Sequence, residues 1–133
     1  DICNIVSLKS LVPVGGHSLD EVKGDLALRP ATGEESFVPF GSTEEEKPLK
    51  GEFILAEDGV VLTRRWIWRQ ANHTLVVNGT RTAAVNIDCM PQVDDGAAHA
   101  IAEEMLSMIE RFCSSPSETA ALRIENKEIG LDG

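Results

Sequence analysis

Three short segments hold the side chains best suited to chemistry. The first is Arg64-Arg65-Trp66-Ile67-Trp68-Arg69-Gln70, which contains both tryptophans of the chain, two residues apart. Read as a strand, its alternation puts Arg64, Trp66, Trp68 and Gln70 on one face and Arg65, Ile67 and Arg69 on the other. Aromatic rings beside guanidinium groups stack a nucleobase and hold a phosphate or carboxylate. The plainer role for at least one ring is to fill the core, with the arginines along its rim. The second segment, Gly15-Gly16-His17, reads as a turn that lets backbone approach a ligand, beside an imidazole able to titrate near neutrality. A lone histidine next to a turn is more often simply exposed or hydrogen-bonded. The third, Asn86-Ile87-Asp88-Cys89, closes a strand, where Asn86 and Asp88 could read a ligand hydroxyl or ammonium, or Asp88 could satisfy loop amides. Phosphate-binding loops, dinucleotide fingerprints, nucleophile elbows and zinc-protease signatures are absent from the sequence. With no tyrosine, a phenolic acid–base is excluded.

These segments need elements to hold them. Ile2, Ile5, Val6 and Leu8 are spaced for a short helix within Asp1 to Leu11. Strands are predicted at 25–29, at 35–40 (a sheet edge, given Pro39), at 74–77 and at 83–89. The sharpest local signal is Asp58-Gly59 between 52–57 and 60–70, a dipeptide favoured in tight hairpins. Residues 41–50 are acidic, include Pro48 and read as an exposed loop. Asp94 is placed to cap a helix running to about Cys113, along which Ala98, Ile101, Ala102, Met105, Ile109 and Phe112 form an apolar stripe for core packing. Strands followed by a long amphipathic helix predict an α+β fold: a sandwich of mostly antiparallel or mixed sheet with the C-terminal helix packed on it. The expected organisation is one domain over 1–113, part of a longer chain, and a polar tail over 114–133.

Composition narrows the partners. At 133 residues and 42% hydrophobic, the chain can bury a core. No apolar run approaches the roughly 20 residues that cross a bilayer, and no targeting signal is visible, so a cytoplasmic setting is expected. Cys3, Cys89 and Cys113 form no paired motif and the histidines are scattered, so neither a disulfide framework nor a metal or cofactor is expected. The net charge of −10 excludes an extended basic groove. Any nucleic-acid contact must be local, and basic residues are dense only at Arg64, Arg65 and Arg69.

Taken in order, the runs 13–41, 51–70 and 80–91, ahead of an amphipathic helix, resemble the amino-acid-editing domain of the phenylalanyl-tRNA synthetase β subunit. The similarity spans roughly 1–113 and is closer still to free-standing relatives that carry the Arg-Trp-x-Trp-Arg run. The resemblance implies an α/β sandwich whose pocket, in the synthetase, hydrolyses tyrosine misattached to the phenylalanine tRNA. Such a site recognises the extra hydroxyl and needs a positioned water with donors for the developing oxyanion.

The chain departs from that pattern at several points. The synthetase histidine aligns with Gly15, with His17 two positions on. The pattern's glutamate falls on Asp88, one methylene shorter. A Gly-rich stretch is replaced by 65–70. The expectation is a trans-acting domain that binds the aminoacyl or 3′ end of a tRNA, with aminoacyl-tRNA deacylation an open question. Its substrate-binding residues would be Gly15, Gly16, His17, Arg65, Trp66, Trp68, Arg69, Gln70, Asn86 and Asp88. The alternative is a non-catalytic module for an amino acid, a nucleotide or a tRNA end.

Overall fold

The computed structural model describes residues 1–123 and 125–130. In chain order the elements are α1 (Ile2–Ser10), β1 (Val14–Ser18), β2 (Leu26–Pro30), β3 (Phe53–Glu57), β4 (Val60–Arg64), β5 (Arg69–Gln70), β6 (Ala83–Ile87) and α2 (Asp95–Cys113). The fold is α+β, with two antiparallel sheets and a long C-terminal helix. By contacts the chain divides into two compact units, Gly15–Asn86 and the chain ends Asp1–Val14 with Ile87–Gly133.

The first unit carries a four-stranded sheet in the order β2-β3-β4-β5, antiparallel throughout, and the pairing of β1 with β6. In β3 alternation is clean: Ile54 and Ala56 are buried, whereas Leu55 and Glu57 are partly exposed. Ile54 and Ala56 join Ala31, Phe37, Val61 and Ala71 in the core. In β4 Val61, Leu62, Thr63 and Arg64 are all buried, which marks a strand covered on both faces. The Asp58-Gly59 hairpin forms as expected, with Asp58 at φ 47°, a left-handed geometry that a short polar side chain tolerates.

Four local expectations need correction. Gly15 and Gly16 lie inside β1, not in a turn, and neither has positive φ. The stretch 60–70 is not one strand, because β4 ends at Arg64 and a turn precedes β5. Residues 74–77 form no strand, and 35–40 contribute only isolated bridges, Ser36 to Val60, Phe37 to Glu46 and Pro39 to Ala71. Phe37, Pro39 and Thr74 there are fully buried without laying down a ladder, whereas Phe40, Val76 and Val77 face solvent.

In the second unit α1 packs with α2. The Asp94 carboxylate accepts from the Ala97 amide at 2.9 Å, the expected cap. Val6 and Met105 are the buried residues of the pair, and Lys9 bonds Glu104 across it. The rest of the stripe is half-buried except Phe112, which is 62% exposed beneath the Arg111 guanidinium, 5.0 Å from its ring. From Ser114 the described chain has no regular element. Among the described residues no helix is long and apolar enough to cross a membrane.

Candidate functional site

β4 and β5 are in register with Thr63 opposite Gln70 and Arg64 opposite Arg69. Residues directly opposite share a face of the sheet, and successive residues take opposite faces. So one cross-strand pair is neutral and the next is cationic, and each builds its own cluster.

The neutral pair surrounds His17, which is 4% exposed. Its Nδ1 lies 2.9 Å from Thr74 Oγ1 and its Nε2 3.1 Å from Thr63 Oγ1. The Gln70 amide donates to the carbonyls of Gly16 (2.9 Å) and Thr74 (3.1 Å) and lies 3.4 Å from His17 Nδ1. The two Gln70 N–H groups are taken by those carbonyls, and each ring nitrogen of His17 faces a threonine hydroxyl that can donate or accept, so a neutral imidazole is satisfied in either tautomer. Burial, with a smaller contribution from the nearby His73, pushes His17 down to about 4, so it is neutral near pH 7. With both nitrogens engaged, its role here is to fix β1 against β4 and β5. Gly15 is small for a reason of packing: a Cβ there would come within 3.0 Å of Asn86 Oδ1 on β6.

The cationic pair builds the second cluster. Arg64, 6% exposed, holds Glu52 with two bonds (Nε to Oε1, 2.6 Å; Nη2 to Oε2, 2.9 Å) and reaches Glu46 Oε2 at 3.0 Å. That bidentate grip holds the Glu52 carboxyl below its ordinary range and raises Arg64 in turn. Arg69 donates once, to Glu46 Oε1 at 3.2 Å. Arg65 has only a 3.8 Å approach to Glu52 and keeps a half-exposed side chain. All three guanidinium carbons gather around the Trp68 ring, at 4.6 Å from Arg65, 5.2 Å from Arg69 and 5.6 Å from Arg64.

The turn between these strands displays its apolar residues to solvent. Trp66 is 36% and Trp68 50% exposed, with Ile67 between them also exposed. Arg65 and Trp66 have φ of 49° and 65°. Bulky residues seldom adopt that geometry, and surrounding bonds must hold it. Here the Trp66 amide donates to the Phe53 carbonyl (2.9 Å) and the Trp68 amide to that of Arg64 (3.1 Å). The expected sharing of a face by Trp66 and Trp68 therefore does not apply.

Asp88 follows β6 and is half-buried in the unit of the chain ends, where its amide donates to the Pro13 carbonyl at 2.9 Å. Burial, and then the Asp88 charge, push the adjacent Cys89 thiol up, and burial does the same to Cys3, so neither is a thiolate near neutrality. Five contributors were not among the expected site residues: Thr63, Thr74, Glu46, Glu52 and Arg64. Arg64 stood in the notable run. The glutamates read as members of an acidic loop and a strand edge, and nothing local ties them to arginines 12 and 18 residues away.

The B3/4 domain family model matches residues 1–124. The chain belongs to the B3/4 domain family. B3/4 domains occur in the editing region of the phenylalanyl-tRNA synthetase β subunit and are associated there with tRNA binding and editing. No curated protein matches the chain. Charge in this B3/4 domain is uneven: Gly15–Asn86 has eleven acidic and eight basic residues, whereas the remainder has eleven and four. The excess negative charge is thus carried mainly outside the unit that displays the tryptophan turn.

Proposed function

We propose that this B3/4 domain acts in trans on tRNA in the cytoplasm, binding the aminoacylated 3′ end. The observation that carries this reading is the exposed Trp66-Ile67-Trp68 turn with guanidinium groups gathered on Trp68, which offers both a stacking surface and local positive charge. Arg65, Trp66, Trp68 and Arg69 are the groups that meet the nucleotide. Gly15, Gly16, His17 and Gln70 hold the strands behind them, and Asn86 and Asp88 are kept as readers of the amino-acid group.

Binding is better supported than hydrolysis. Deacylation needs a base or a held water with oxyanion donors, and His17, buried and engaged at both nitrogens, is not available as that base. Membership in the B3/4 family keeps editing-type hydrolysis as the second reading, with Asp88 as the carboxylate to examine.

The test is a panel of correctly and incorrectly charged tRNAs, scored for both retention on the protein and release of amino acid. Saturable retention with no release supports the binding module. Selective release from one mischarged species, lost in Asp88→Ala, establishes the deacylase instead. Failure to retain or hydrolyse any species removes both readings.

A further inference from the structure

The three arginines around Trp68 are not equivalent, and their differences point to a ligand. Arg64 makes three charged hydrogen bonds and is buried, so it is committed to the protein. Arg69 makes one, to an exposed part of the acidic loop. Among the described residues Arg65 approaches a carboxylate only at 3.8 Å, that of Glu52, while its guanidinium is held 4.6 Å from the indole centroid. Two carboxylates, Glu46 and Glu52, pair with the three guanidiniums among the described residues, which leaves one positive charge in excess. That charge is pinned on an aromatic plate in a strained turn, inside a strongly acidic protein.

The geometry points to a phosphate-binding site made by Arg65 and Arg69 around Trp68, whose half-exposed ring is the surface that meets the attached base. In this site Glu46 is an internal competitor, since it occupies Arg69 until a phosphate displaces it. The ligand class is a phosphate ester carrying an unpaired base, either a free nucleotide or the single-stranded end of an RNA. Planar guanidiniums suit phosphate oxygens, which can accept two parallel N–H bonds. Stacking adds affinity without demanding one particular base. This assignment rests on the nucleotide-binding reading above but concerns which groups bind, and its outcome is separable.

Because both tryptophans lie in this turn, intrinsic fluorescence reports on the site alone. The experiment titrates the whole chain with inorganic phosphate, with adenosine 5′-monophosphate and with a short single-stranded RNA, following emission at several salt concentrations. The expected result is saturable quenching by the RNA or the mononucleotide, with weaker binding of phosphate alone. For the RNA, affinity falls with salt at a logarithmic slope of about −0.7 per phosphate engaged.

Arg65→Ala is expected to lose about 10-fold or more in affinity, and Arg65→Lys to recover part of it. Glu46→Gln is expected to bind several-fold more tightly, a gain that a merely structural Glu46 would not give. Its backbone pairing with Phe37 is independent of the side chain, and glutamine keeps an amide oxygen that can accept from Arg64 or Arg69. Binding unchanged in Arg65→Ala, or weakened in Glu46→Gln, overturns the assignment. If charged tRNA is retained equally by wild type and Arg65→Ala, this site falls while the tRNA reading stands. If the mononucleotide quenches through Arg65 but no tRNA is retained, the tRNA reading falls and the site stands.

Discussion

Gln70 and Arg69 are neighbours on a two-residue strand, yet they serve clusters of opposite character. Gln70 enters a network around His17 that is buried, uncharged and supplied with partners. Arg69 enters a group that is exposed at its edge, charged and only partly compensated. A buried polar network that satisfies its own members has little left to offer a ligand, but it fixes the strands that carry other groups. The charged cluster divides that labour within itself: Arg64 is the anchor, and Arg65 is the group left facing solvent. Type of residue alone does not separate anchor from ligand-binding group, since Arg64 and Arg65 are adjacent arginines. What separates them is how many acceptors each already holds.

The largest effect should come from breaking the anchor. Arg64→Ala leaves Glu52 as a nearly buried carboxylate without its bidentate partner, and urea denaturation should show a loss of about 3–5 kcal/mol. A loss below about 1 kcal/mol would mean that Arg64 is no more structural than Arg65.

The neutral cluster should answer to pH. His17 has a folded pKa of about 4 against an ordinary 6.5, so the unfolded chain binds a proton more readily between those values. Its contribution is therefore full above about pH 6.5 and is lost as pH falls towards 4, by about 3 kcal/mol in total. The Glu52 carboxyl, held below its ordinary value by Arg64, adds its own loss only from about pH 4.5 downward. Denaturation midpoints between pH 7 and 5 should therefore slope in wild type and flatten in His17→Ala. An equal slope in both would remove His17 as the source.

Some of this arrangement is legible in the sequence and some is not. The Asp58-Gly59 hairpin and the Asp94 cap are decided within four residues of chain, by turn geometry and by one side chain reaching a nearby amide. The tryptophan turn is the opposite case. It has no glycine, proline, asparagine or aspartate, and its alternation of arginine with Trp and Ile has the composition of a strand. It turns because Phe53, Glu46 and Glu52 hold it there, and those partners are distant in sequence. Gly15-Gly16 misleads in the other direction: the pair looks like a turn, but a Cβ at Gly15 would crowd Asn86 where the strand passes close to it.

That close passage gives a smaller test. Gly15→Ala should destabilise the wild type by about 1 kcal/mol, since its Cβ crowds Asn86 Oδ1. In an Asn86→Ala background the same change should stabilise by about 0.5–1 kcal/mol, through the lower backbone entropy of the unfolded chain. Additive effects in that cycle would show that the contact is not the reason for glycine.

The smallest effect sharpens the contrast most. Arg65 sits at φ 49°, a conformation that glycine adopts without penalty. Arg65→Gly should raise stability slightly, by up to about 1 kcal/mol, while nucleotide quenching is lost. A variant that is both less stable and a normal binder would place Arg65 with the anchors.

The division of the chain also dictates an order of events in time. Gly15–Asn86 is a continuous stretch, whereas the other unit joins Asp1–Val14 to residues made after Asn86. During synthesis the continuous unit has its four-stranded sheet before α2 exists, and α1 must wait for its partner. Pairing β1 with β6 also draws Pro13 and Asp88 together, so the long loop separating the two helices is already closed when they meet. In refolding followed by pulsed hydrogen exchange, amides of β3 and β4 should be protected before those of α2. Simultaneous protection would mean that the two units complete each other.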